Sequence, residues 1–324
     1  MGNVLTNDFL IYVIYAFLFS FFLFPWFIRW QKQHHMGQKI KKEGPNLHLH
    51  KEDTPSMGGI IIFITLLLAL FLGNQLNQKI ILPVLLLTGF TFLGFIDDWY
   101  KSFLEKPWGL KARYKFLFQI IIASLIMWPS LDLVPACIAI PFTNHLVFLP
   151  PVLFFGYGVF IIVATSNAFN ITDGLDGLAA GCGILGFLFW GLILYFTGEK
   201  NLSYLSAVAI GGLMSFLWFN VWPARIFMGD SGSLGLGALM GYMAIASGQS
   251  LLLIFSALVF ILDTISVILQ VISFKVRGRR IFLMSPIHHH FELKGMKEPQ
   301  ITIRFWIIQA IGIMFAWLGQ MGVG

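Results

Sequence analysis

Phe9-Leu10-Ile11-Tyr12-Val13-Ile14-Tyr15-Ala16-Phe17-Leu18-Phe19-Ser20-Phe21-Phe22-Leu23-Phe24-Pro25-Trp26-Phe27-Ile28 runs without a charge and is closed by Arg29. A helix crossing the hydrocarbon core needs about 20 mostly apolar residues, and this stretch supplies them. Nine further runs follow at 58–73, 80–96, 116–128, 151–166, 178–197, 203–219, 233–247, 251–272 and 305–321. They are continuous and do not alternate, which selects helices over a β-barrel. The first run has no basic n-region and no small-residue cleavage site, so it reads as a span and not as a removed leader.

Composition agrees. Of 324 residues, 57% are hydrophobic and 11% charged, with 34 Phe; the mean hydropathy is +0.81. No soluble fold of this size hides so much apolar surface. A soluble enzyme, a disordered chain and a nucleic-acid binder are excluded, despite the net charge of +6. Cys137 and Cys182 are too few and too separated for a disulfide framework or a zinc site. The expectation is an all-α polytopic membrane protein of about ten transmembrane helices, forming one integral domain over 1–324.

Basic residues orient it. Ten spans place Lys79 and Lys200 on one side and the other basic residues on the opposite side. These are Arg29, Lys32, Lys39, Lys41, Lys42 and Lys51, then Lys101, Lys106, Lys111, Arg113 and Lys115, then Arg225, and finally Lys275, Arg277, Arg279, Arg280, Lys294, Lys297 and Arg304. By the positive-inside rule that face is cytoplasmic and both termini are extracytoplasmic. On the outer side, 133–149 reads as a small β-hairpin, with Cys137–Ile140 and Leu146–Leu149 flanking Pro141–Asn144.

Acids and amides collect at the cytoplasmic helix ends. The third span closes on Asp97-Asp98-Trp99-Tyr100-Lys101. Adjacent carboxylates at a membrane boundary call for a cation; the plainer reading is a solvated helix end with Lys101 as partner. Between spans five and six, Asn167, Asn170, Asp173 and Asp176 recur every third residue through Gly174 and Gly177. One helical turn puts such residues on one face, and the Asp-Gly steps admit close backbone approach. A simple connecting turn needs neither two amides nor two acids. The next cytoplasmic loop holds Asn220, Phe227, Gly229, Asp230 and Ser231, where Asp230 reads either as a site acid or as a helix cap. Five carboxylates at one membrane depth, Asp97, Asp98, Asp173, Asp176 and Asp230, favour an Mg²⁺ site completed by substrate phosphate.

The last cytoplasmic loop carries His288-His289-His290. Successive side chains diverge, so the three cannot all chelate one ion; they suit contacts to a diphosphate, against the alternative of a fortuitous surface tract. Lys275–Arg280 reads as a topology and anionic-lipid cluster, with a substrate role as the alternative. Lys51, Thr54 and Ser56 offer donors at a helix entrance, or the loop is mere punctuation before a span. Asp263 is the one acid well inside a span, where it either serves function or pairs within the bundle.

Five blocks in this order, Thr54 to Gly59, Asp97-Asp98, Asn167 to Gly177, Phe227 to Ser233 and Pro286 to Glu292, resemble the phospho-N-acetylmuramoyl-pentapeptide transferases of the polyprenyl-phosphate N-acetylhexosamine-1-phosphate transferase superfamily. The triple His followed by Phe291-Glu292 points to that branch and away from sister enzymes moving N-acetylglucosamine phosphate. The resemblance implies transfer from UDP-N-acetylmuramoyl-pentapeptide to undecaprenyl phosphate, giving lipid I and UMP for peptidoglycan, with Mg²⁺ required, in the bacterial cytoplasmic membrane with the active site facing the cytoplasm. It implies Asp230 as the metal ligand and Asp97 as the acid that deprotonates the lipid phosphate or attacks as nucleophile. Asp98 and Asp173 would support it closely, and His289, with His288 and His290, would contact the diphosphate. Asn170, Asp176, Asn220 and Phe227 match uridine-contacting positions, with Asn167 in the same block. Lys51, Ser56 and Lys115 match further pocket positions, and Lys111 and Arg113 compete with Lys115. Departures are Asp53 where Gly is usual, Ser56 and Ser231 where Thr is common, and Trp99 where Tyr is common. A secondary transporter is the rival of a different class, but transporters place their acids near mid-bilayer. Membrane lipids are expected partners, nucleic acid is not, and homodimerisation stays open.

Overall fold

The computed structural model of the chain describes residues 2–34, 51, 54–72, 78–102 and 109–320. Lys39, Lys41, Lys42, Asp53 and Lys106, used or noted above, lie outside the described residues.

Helices fall on all ten apolar runs, the ninth being interrupted: α1 (Gly2–Gln33), α2 (Gly59–Leu72), α3 (Gln78–Ser102), α4 (Ala112–Ser130), α5 (Pro151–Thr172), α6 (Leu178–Phe196), α7 (Lys200–Asn220), α8 (Asp230–Ala246), α10 (Leu258–Arg277) and α12 (Glu298–Gln320). Among the described residues, seven of them, α1, α3, α5, α6, α7, α10 and α12, are long and apolar enough to cross a membrane. The fold is therefore an all-α polytopic membrane protein. The expected hairpin is present: β1 (Cys137–Ala139) runs antiparallel to β2 (Leu146–Phe148), with Ile138 opposite Val147.

Large apolar side chains cover much of the outer surface, and a set of polar side chains is buried beside the apolar core. On α10, Asp263, Ser266, Gln270 and Ser273 lie three or four residues apart and are buried, while Ile265, Ile268, Ile272 and Phe274 are exposed. This inverts the amphipathic helix of a soluble protein and suits lipid outside. At the centre stands α8, whose residues are all buried. It packs chiefly against α3 and α5. Its small residues permit the approach: a β-carbon on Gly235 would lie 2.4 Å from the Thr91 hydroxyl, and one on Gly237 2.7 Å from the Ser166 backbone.

The ninth run departs from expectation. Instead of one helix over 251–272, the chain makes a 3-10 turn (Ser250–Leu252) and α9 (Leu253–Ser256), breaks at Ala257 (φ −123°, ψ 33°), and resumes as α10. Gln309 of α12 repairs the break: its amide donates to Ser256 O and its carbonyl accepts from Val259 N at 3.1 Å. Backbone groups freed at membrane depth need such internal partners.

Candidate active site

The carboxyl end of α3 meets the amino end of α8. Gly94 makes this contact possible, because a β-carbon there would fall 2.1 Å from Asp230 O. Oxygens of Asp97, Asp98 and Asp230 consequently lie within 4.8 Å of one another. Their roles differ. Asp98 accepts the backbone N–H groups of Asp230 (3.0 Å) and Ser231 (2.9 Å), so it anchors the first turn of α8. Asp97 accepts Leu110 N at 2.8 Å through Oδ1 and meets Lys101 Nζ at 2.5 Å through Oδ2. Asp230 pairs with Lys115 and lies 3.2 Å from Lys101. Three carboxylates thus face two ammonium groups. This charge pattern and the all-oxygen donor set fit a divalent cation held mainly by Asp97 and Asp230, since Asp98 is engaged by backbone.

The carboxyl end of α5 forms the opposite wall. Asn170 donates to Asp230 Oδ1 (2.9 Å) and to Ser233 Oγ (2.8 Å), whereas Asn167 is held by Gln119 (2.7 Å) and Val163 O. Beyond Thr172, Asp173 caps the helix. Burial, then the charges of Asp230, Asp98 and Asp176, pushes its carboxyl well above the usual carboxylate range, and Lys51 opposes this.

A second polar cluster surrounds Lys51. Its ammonium lies 2.7 Å from Asp176 and 2.6 Å from Glu298, and 5.9 Å from the centroid of the Phe227 ring. Asp176 Oδ2 accepts Ala224 N (2.9 Å), Glu298 accepts Asp176 N (2.6 Å), and Asn220 accepts Gly177 N (2.9 Å) and donates to Ile226 O (2.8 Å). The loop bearing Ser56 hangs from Gln31, which donates to Ser56 O (2.7 Å) and accepts Ser56 N (3.1 Å).

Matches to known proteins cover the same segments. The glycosyl transferase family 4 model matches residues 80–248, and a phospho-N-acetylmuramoyl-pentapeptide-transferase signature matches residues 51–63. The chain is 43% identical over 321 residues to the phospho-N-acetylmuramoyl-pentapeptide-transferase of Nautilia profundicola, covering 93% of this chain and 90% of that one. To the Desulfosudis oleivorans protein of the same name it is 42% identical over 313 residues (90% and 87%). To the Staphylococcus aureus protein, again of that name, it is 42% identical over 321 residues (95% and 98%). The chain belongs to the phospho-N-acetylmuramoyl-pentapeptide transferase family.

Within this family member, the signature segment holds Lys51 and Ser56, and the longer match holds the residues from Asp97 to Asp230. The histidines lie outside both, on the short helix α11 (Ile287–Leu293), and they diverge as their spacing requires. His288 points inward to Asp263 (3.0 Å) and has zero exposure, leaving it no surface for substrate. His289 pairs with Glu292 (2.5 Å) and faces Gly174, and His290 accepts Leu283 N (3.1 Å). Sequence reasoning missed Gln31, Gln119 and Glu298. For Glu298 the one local signal was an acid followed by Pro299, a helix-start pattern. Gln31 and Gln119 gave none.

Proposed function

We propose that the chain transfers phospho-N-acetylmuramoyl-pentapeptide from its UDP nucleotide to undecaprenyl phosphate, releasing UMP and forming lipid I for peptidoglycan. The observation that carries this reading is the convergence of Asp97, Asp98 and Asp230 at one helix end, in a chain 43% identical over nearly its whole length to a transferase of that name. The metal in this reading is Mg²⁺, with Asp230 and Asp97 as its ligands. Once bound, Mg²⁺ offsets the repulsion between two phosphates and an anionic acceptor.

The chain's own residues do the rest. A lipid-phosphate oxygen bonds to the phosphorus that carries the sugar, and the bond from that phosphorus to the bridging oxygen of UMP breaks, the electron pair leaving with UMP. Lys101 and Lys115 stand beside Asp97 and Asp230 to receive phosphate charge. Lys51, Asp176, Asn220, Phe227 and Ser56 form the uridine compartment, and His289 serves the diphosphate. Asn170 and Asp98 hold Asp230, and Asp173 closes the wall. Asn167 and His290 act by fixing their elements against Gln119 and Leu283. The second pKa of a phosphate monoester is near 6, so the acceptor is already a dianion at neutral pH, and positioning outranks general-base help from Asp97.

In this reading α2, α4 and α8 complete ten spans within one integral domain. The basic loops put both termini outside and the site at the cytoplasmic face of a bacterial cytoplasmic membrane. The test is UMP release from the muramoyl-pentapeptide nucleotide, with and without polyprenyl phosphate and Mg²⁺. Release that requires both supports the proposal. Release from UDP-N-acetylglucosamine instead would make the chain a sister transferase, and none from either nucleotide would end the reading.

A further inference from the structure

Asp263 is a carboxyl group in the interior of α10 with zero exposure, and its one hydrogen-bonding partner among the described residues is the equally buried His288, with Nδ1 3.0 Å from Oδ2. The outer atoms of the pair, Asp263 Oδ1 and His288 Nε2, are buried without hydrogen-bond partners. Such orphaned groups are costly to keep in a protein interior. Replacing a buried pair of this kind by apolar side chains of similar volume is often neutral or stabilising, so packing alone does not account for the pair.

The direction of the ring is informative. An Nδ1–H donated to Asp263 leaves Nε2 as the acceptor nitrogen. That atom is aimed at the turn after α5: a β-carbon on Gly174 would lie 2.6 Å from His288 Nε2 and 3.5 Å from His289 Nε2. Gly174 follows Asp173, and His289 follows His288. One carboxyl group on α10 therefore orients the ring against which the Asp173 turn rests, and tethers the helix that carries His289.

We infer that Asp263 is a positioning residue for the transfer, acting through His288 to hold the Asp173–Gly174 turn and His289 in register across the site. The inference rests on the transferase reading above.

Kinetics of the full-length chain in detergent test it. Asp263→Leu removes the tether. His288→Asn keeps an N–H near the Nδ1 position for Asp263 but no longer reaches the turn. Both variants are expected to lose roughly 100-fold in kcat, as a small misplacement does, with the donor KM held within about threefold. The double variant is expected to be no worse than either single one, since both break one chain of contacts. Asp263→Asn still accepts from Nδ1–H and should recover most of the turnover. If Asp263→Leu shows no cooperative unfolding transition, His288→Asn and Asp263→Asn carry the test alone. Wild-type kcat in Asp263→Leu overturns the inference. So does full activity in His288→Asn, which would reduce the pair to a link between α10 and α11, and so do losses that multiply in the double variant. Wild-type protein that releases no UMP would instead remove the transferase reading, so the two failures are distinguishable.

Discussion

The Asp98 carboxylate accepts the backbone N–H groups of both Asp230 and Ser231, at 3.0 and 2.9 Å. A side chain from the end of α3 thus closes the amino terminus of α8, where the helix dipole favours negative charge. Asp98→Ala is expected to strand two buried N–H donors and lower stability by about 1–3 kcal/mol. Thermal unfolding in detergent reads this, and an unchanged midpoint would count against the anchoring role.

Asp230 touches Lys101, Lys115 and Asn170 at once. Asp230→Asn is expected to abolish turnover, and near-normal product formation in saturating Mg²⁺ would refute the metal assignment. Asp97→Asn separates positioning from base catalysis. Because the acceptor phosphate is largely ionised at neutral pH, we expect a rate loss of similar size at every pH. Activity restored at high pH would make Asp97 a base.

Lys51 joins Asp176 and Glu298, all three buried. Lys51→Met leaves two carboxylates facing each other in a poorly hydrated site, and should cost about 3–5 kcal/mol. Adding Glu298→Gln should return part of that loss. Burial lowers the Lys51 pKa, but the charges and hydrogen bonds of Asp176 and Glu298 outweigh it and hold the ammonium above its ordinary 10.5. A folded-state pKa raised in this way stabilises fully below the unfolded value, and that stability is lost as pH rises through the folded one. Wild type should therefore lose stability in alkali beyond pH 10.5 by a step that Lys51→Met lacks. Parallel pH profiles for the two proteins would contradict this.

Gly94 and Gly59 let helices touch backbone to backbone. A β-carbon on Gly94 would fall 2.1 Å from Asp230 O, and one on Gly59 2.1 Å from the Gly232 Cα. Neither neighbour is a flexible side-chain end that could give way. Gly94→Ala is expected to cost about 1–3 kcal/mol or more through overpacking and to displace Asp230, so metal affinity and kcat should fall together. A variant with wild-type Mg²⁺ dependence would show that α8 absorbs the extra methyl group.

Much of this could be read along the chain. Apolar runs, basic loops and the acids at helix ends are local properties, since partition into lipid and interfacial charge preference act on each segment separately. The hairpin from Cys137 to Phe148 was legible because its partners are neighbours in sequence. The blocks around Asp97, Asp173 and Asp230 stood out because each packs several polar groups into a few residues.

Contacts between distant segments were a different matter. Nothing near Lys51 announces that Asp176 and Glu298 will meet it, nor does the stretch around Asp263 name His288. The break at Ala257 is tolerable because Gln309, on another helix, meets its backbone. Composition gives each helix its place in lipid, but it says little about how far that helix is turned about its own axis. Here the turn follows from close packing: glycines at 94, 59 and 232 set how near α8 can come to α2 and α3. That approach, built from many short-range contacts spread over the chain, determines which polar atoms end up facing one another.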